Sequence, residues 1–147
     1  MRRLARWIAT GCGLGYAPIA SGTVASAAAA VAWYLLPLDG RAQWALALLV
    51  ACMGWWAAEQ VAKQTGDPDP SMVVIDEVAG MWLALAGLPK TAPVVFAAFL
   101  LFRVLDIGKF PPMKQLERLP GGFGIMMDDV AAGAIARLLL GVVLSAL

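Results

Sequence analysis

Histidine is absent from these 147 residues, and cysteine occurs only twice, at Cys12 and Cys52. The first absence excludes histidine-based phosphatases and any zinc site built on imidazole. Neither cysteine has an arginine within the next six residues, which excludes a cysteine phosphatase. The two make no disulfide framework and no metal spacing, so both are expected to pack as small apolar side chains. Charge is also scarce: 14% of residues are charged, against a globular norm of about 25%. The net charge of +1 suggests no nucleic-acid partner. No Gly-Lys-Ser/Thr closes a Walker loop, and no Rossmann glycine fingerprint occurs.

Apolar residues are abundant. They make up 61% of the chain, and the mean hydropathy is +0.77. This composition predicts an all-α, multihelical integral membrane protein, a single domain over 1–147. An unusually apolar soluble helical domain is the other reading, because several apolar runs break before about 20 residues. Gly11 to Gly15 interrupt the region a signal peptide would need, so none is expected. Arg2, Arg3, Arg6 and Trp7 suit a membrane interface.

Two long spans are expected, Ser21 to Leu38 and Arg41 to Ala62. Glu77 to Leu88 and Pro93 to Ile107 are shorter and read as a helical hairpin. Gly108 to Gly124 reads as a basic loop, and a last span runs from near Asp128 to Leu147. Following this path, Arg2, Arg3, Arg6, Lys63, Arg103, Lys109, Lys114 and Arg118 share one side, with only Arg41 and Lys90 opposite. The positive-inside rule makes the shared side cytoplasmic. Arg137 lies within the last span, outside that count. The acids Asp67, Asp69, Asp76, Glu77, Asp106, Glu117, Asp128 and Asp129 gather on the same side, at helix ends or in loops.

Carboxylates without histidine favour Mg²⁺ or Mn²⁺, which take hard oxygen ligands. Arg103 and Lys109 supply charge for a phosphate, the guanidinium in bidentate fashion. Together they point to metal-assisted phosphoryl chemistry. Plainer roles exist for each pair. Asp76-Glu77 and Asp128-Asp129 would each complement a helix dipole in a first turn. Arg103 and Asp106, spaced i, i+3, would form an ion pair. The glycine-rich stretch before Thr23 and Ser26 would hold an anion at a helix start, or Ser21 or Thr23 would simply cap it.

Four segments, "GCGLGYAPIASGTVAS", "DPSMVVIDEVAGMW", "FRVLDIGKFPP" and "GGFGIMMDDVAAG", together resemble the phosphatidylglycerophosphatase A family in order and spacing from Gly11 to Gly133. The resemblance implies a multihelical Mg²⁺-dependent lipid phosphatase of the bacterial inner membrane. Its substrate would be phosphatidylglycerophosphate and its products phosphatidylglycerol and phosphate. Asp69, Asp76 and Glu77 match the family's first acidic element. Arg103, Asp106 and Lys109 match its basic element, Asp128 and Asp129 its paired aspartates, and Thr23 and Ser26 its Gly-Thr element. Ser21 replaces a usual proline, and of the usual Lys-Pro-x-Pro only Pro112 is in place.

The expected site therefore has Asp69, Asp76, Glu77, Asp128 and Asp129 around Mg²⁺, with Asp106 beside them as a catalytic or supporting acid. Arg103, Lys109, Thr23 and Ser26 hold the phosphate, and water attacks phosphorus in line. The alternative is a non-catalytic membrane protein that binds anionic lipid headgroups. A cation transporter is disfavoured because the acids lie at helix ends. The sequence sets no oligomeric state.

Overall fold

The computed structural model describes residues 1–111 and 113–146. Its helices are α1 (Arg2–Ala9), α2 (Ser21–Leu35), α3 (Gly40–Thr65), α4 (Ile75–Leu85), α5 (Ala92–Gly108), the short α6 (Met113–Leu116) and α7 (Gly121–Ser145). No strand occurs among the described residues. Pro112, the later proline of the Lys109 element, and Leu147 lie outside them.

Local chemistry sets the helix limits. Asp39 caps α3, its Oδ1 accepting from Ala42 N at 2.8 Å, and Gly66 ends that helix at φ +73°. Leu36 precedes Pro37 and is forced extended, so α2 stops at Leu35. Pro93 sits in the first turn of α5, where its missing N–H costs nothing.

Helix α4 is central, packing on α2, α3, α5 and α7. One buried cluster gathers Trp33, Met81, Leu85 and Phe102. Another gathers Ala57, Ala58, Val61, Ile75 and Met126. Trp82 Nε1 donates to Ala29 O at 2.9 Å, tying α4 to α2.

Contacts between helix ends define the two ends of the bundle. At one, Arg103 near the end of α5 reaches Thr23 and Ser26 in α2, and Glu59 near the end of α3 reaches Gly122 in α7. At the other, Lys90 donates to Leu36 O, Gly87 N donates to Gln43 Oε1 at 2.9 Å, and Arg137 Nε donates to Ala86 O at 2.5 Å. Arg137 also lies over the Trp44 ring, 5.9 Å from its centroid. The arginine left over in the charge count thus donates to the carbonyl of Ala86, the residue that ends α4.

Several expectations are corrected. The first proposed long span shrinks to the 15 residues of α2, about 22 Å. Among the described residues one helix, Gly40–Thr65, is long and apolar enough to cross a membrane by length and composition. The last helix starts at Gly121, not near Asp128. The hairpin is present as α4 and α5, but α4 also contacts three other helices and is not merely one of its arms. Cys12 and Cys52 are exposed instead of packed.

Candidate active site

Helices α4 and α7 cross with their backbones in contact. A Cβ on Gly133 would collide with the Gly80 carbonyl oxygen, and one on Gly80 would sit 2.6 Å from Asp129 O. Asp76 precedes Gly80 by four residues, and Asp129 precedes Gly133 by four. Each acid therefore lies one turn, about 6 Å, before the crossing on the same face. Oxygens of Asp76, Glu77 and Asp129 accordingly come within 4.8 Å of one another.

Dipole complementation explains little of this. Asp76 and Glu77 do sit in the first turn of α4. Asp128 and Asp129 lie about two turns inside α7, beyond the reach of its N-terminal dipole. They are 8% and 3% exposed, so an unpartnered charge there is costly. Yet Asp76 Oδ1, Glu77 Oε2, Asp128 Oδ1 and Asp129 Oδ2 are buried with no hydrogen-bond partner. Hard acceptor oxygens that converge without donors fit a small divalent cation such as Mg²⁺.

The basic groups stand beside this triad and are themselves paired. Arg103 Nη1 donates to Asp106 Oδ2 at 2.5 Å and to Ser26 Oγ at 3.3 Å, and Nη2 donates to Thr23 Oγ1 at 3.3 Å. Ser26 Oγ donates to Gly22 O at 2.7 Å, which leaves its lone pairs to the guanidinium. The i, i+3 ion pair is thus present and is also bound into the site. Arg103 Nε is buried and unpartnered. Neither Ser21 nor Thr23 caps α2, whose N-cap is Ala20 at φ +49° with no side-chain bond. A Cβ on Gly22 would collide with Glu77 Oε1, so the start of α2 lies against the triad.

Lys109 Nζ donates to Glu117 Oε1 at 2.5 Å and reaches Asp128 Oδ2 at 3.5 Å. Burial alone would lower its pKa. The Glu117 hydrogen bond and the Asp128 and Glu117 charges outweigh that and raise it above the ordinary lysine value. Asp128 therefore faces Lys109, while its neighbour Asp129 faces Asp76 and Glu77. Successive helical residues point about 100° apart. Asp69 is not brought into the triad. It is exposed, its N–H donates to Asp67 Oδ1 at 3.0 Å, and it shares a cavity of about 370 Å³ with Glu117 and Asp128.

Two acids outside the expected set support the site. Glu117 neutralises Lys109. Glu59 Oε2 accepts from Gly122 N at 2.6 Å and Oε1 pairs with Lys63 at 2.8 Å, so it binds the first turn of α7. The Glu59–Gly122 contact joins residues far apart in the chain, and the Lys109–Glu117 pair joins the end of α5 to the end of α6, so helical spacing announces neither.

A sequence model described as Phosphatidylglycerophosphatase A matches residues 7–144. A Bacteroides thetaiotaomicron protein named "Putative phosphatidylinositol-3-phosphatase" is 39% identical, covering 92% of this chain and 90% of its own length. Phosphatidylglycerophosphatase A of Escherichia coli K12 is 39% identical over 88% of this chain and 77% of its own. The enzyme of that name from Haemophilus influenzae is 37% identical over 63% of this chain and 56% of its own. No solved structure matches. A family match over nearly the whole length, joined by relatives at this identity, makes the assignment: the chain belongs to the phosphatidylglycerophosphatase A family of enzymes.

Proposed function

We propose that the chain is a Mg²⁺-dependent phosphatase that hydrolyses the terminal phosphomonoester of phosphatidylglycerophosphate, releasing phosphatidylglycerol and phosphate. The observation that carries the reading is the Asp76–Glu77–Asp129 triad, with buried oxygens lacking donors and the Arg103 fork nearby. Asp76, Glu77 and Asp129 would hold the ion, with Asp128, Asp106 and the exposed Asp69 around them. When bound, Mg²⁺ supplies positive charge to phosphate oxygens and acidifies water.

The chain's own groups do the rest. Arg103 binds phosphate oxygens, held in orientation by Thr23, Ser26 and Asp106. Lys109 offsets the Asp128 charge and presents an ammonium to the same anion. A carboxylate of the set accepts the proton of the attacking water as the new phosphorus–oxygen bond forms, the phosphorus–oxygen bond to glycerol breaks, and the proton passes, directly or through solvent, to the departing alkoxide. Placing these groups at one end of an apolar bundle lets the diacyl tails stay in lipid while the phosphate meets polar residues.

The same reading makes the chain a multi-pass protein of the bacterial inner membrane with its site facing the cytoplasm. The candidate span α3 supports this, as do exposed Leu48, Leu49, Leu138 and Val142 and the one-sided basic residues. A phosphoinositide headgroup is the second substrate reading, favoured by the name of the Bacteroides relative. Nothing in the comparisons favours a non-catalytic lipid binder, and a bare carboxylate triad would repel anionic headgroups. Phosphate release from phosphatidylglycerophosphate, phosphatidylinositol 3-phosphate and phosphatidic acid, with Mg²⁺ or with chelator, tests the proposal. Preferential Mg²⁺-dependent release from the first is expected. Equal release under chelation would overturn the metal assignment, and no release from any of them would overturn the phosphatase reading.

A further inference from the structure

An apolar groove of about 340 Å³ runs between α2 and α5 on the outside of the bundle. Ala27, Val31 and Tyr34 form one wall and Val95, Phe96 and Phe99 the other, and no charged side chain lines it. Val31, Tyr34 and Phe96 are 59%, 45% and 63% exposed, large apolar surfaces that nothing among the described residues covers.

The groove begins at the candidate active site. Thr23 lies four residues before Ala27 on α2, and Arg103 four residues after Phe99 on α5. Each polar residue therefore shares a helix face with the groove residue one turn away. The two close the same seam, Arg103 Nη2 donating to Thr23 Oγ1 at 3.3 Å. One seam is thus polar where the phosphate is expected and apolar from there on. From Thr23 to Tyr34 it extends about 16 Å along α2. A ligand that fits both parts has a phosphate joined to a long hydrocarbon. A water-soluble phosphate ester would leave the apolar length unused.

We infer that this groove holds one acyl chain of the lipid substrate, its glycerol end at Arg103 and its tail running toward Tyr34. The inference rests on the phosphatase reading and adds to it the place where the tail is bound and chain length is sensed.

Filling the groove tests it. Ala27→Trp and Val31→Trp are expected to raise KM for dioleoyl phosphatidylglycerophosphate about tenfold relative to the dihexanoyl form. Val142→Trp, exposed on α7 outside the groove, should leave that ratio at the wild-type value. An unchanged ratio in both groove variants, with wild-type enzyme active, overturns the groove and leaves the phosphatase reading standing. A second measurement uses the unaltered protein and needs no turnover. Phosphatidylglycerophosphate with a diazirine on one acyl chain should label residues 27–34 and 92–99, and unlabelled phosphatidylglycerophosphate should displace it better than phosphatidylcholine. Equal displacement by both lipids, or labelling only elsewhere, means bulk lipid contact and overturns the inference. Absence of phosphate release from both the dioleoyl and the dihexanoyl form would sink the phosphatidylglycerophosphate reading, and the label would still decide the groove.

Discussion

Gly80 and Gly133 touch backbone to backbone, and that contact sets the spacing between Asp76 and Asp129 one turn away. Alanine at 133 gains up to about 1 kcal/mol of helix propensity. It must also push α4 from α7, and overpacking of this kind costs about 1–3 kcal/mol. Gly133→Ala is therefore expected to lower the melting temperature in detergent and to reduce phosphate release, Gly133→Val more so. A more stable Gly133→Ala with full activity would contradict the assigned role of the crossing.

Asp129→Asn removes one charge from the triad. Without metal, the variant is expected to be at least as stable as wild type, because a buried like-charge repulsion is relieved. With Mg²⁺ the order reverses. A ligand at a hundredfold excess over its Kd stabilises by about 2.7 kcal/mol, so Mg²⁺ should raise the wild-type melting temperature and leave the variant's unchanged. Activity should fall by about 10²- to 10³-fold, equivalent to about 3–4 kcal/mol of barrier. Thermal unfolding with and without Mg²⁺, beside phosphate release, measures both.

Arg103→Lys keeps the charge and loses the fork that engages Asp106, Ser26 and Thr23 together. A loss of about 10- to 100-fold in kcat/KM is expected, with the Mg²⁺-induced thermal shift retained. Loss of that shift would mean that Arg103 organises the carboxylates instead of binding phosphate.

Arg137→Met separates support from chemistry. Its guanidinium satisfies Ala86 O at the end of α4, and a buried carbonyl left unpaired costs about 1–3 kcal/mol. The variant should melt earlier, while kcat per folded molecule stays at the wild-type value. A selective fall in kcat would place Arg137 in the chemistry.

Residue types and their order picked out most of the charged residues that the fold gathers, but not how they pair. The Asp76-Glu77 turn and the Arg103–Asp106 pair are local features, visible as short spacings on one helix. The start of α7 was hidden because glycines at 121, 122 and 124 read as a loop on propensity. In the fold, the backbone of α3 and of the chain at Glu117 and Leu119 occupies the places where side chains would go at 122 and 124, and the Glu59 side chain does so at 121, so tertiary contact overrides that preference. Glu59, Glu117 and Arg137 were hidden for a related reason: their partners lie far away in the chain or on another element, and no periodicity announces them. The division between Asp128 and Asp129 needed the direction of each side chain, which adjacency conceals.

The hydrogen bond from Gly122 to Glu59 turns the start of α7 into a ruler. With that end tied to α3, the seven residues from Gly122 to Asp129 fix both the depth and the bearing of the aspartates. One inserted residue would swing Asp129 by about 100° away from α4, whereas four would bring it nearly back into line, one turn deeper. Changes of length in this stretch should therefore be as damaging as loss of an aspartate. Across descendants of this sequence, substitutions here should fall at half-buried or exposed places such as Phe123 and Met127, sparing Gly122, Gly124 and the aspartates, while insertions and deletions stay outside the stretch.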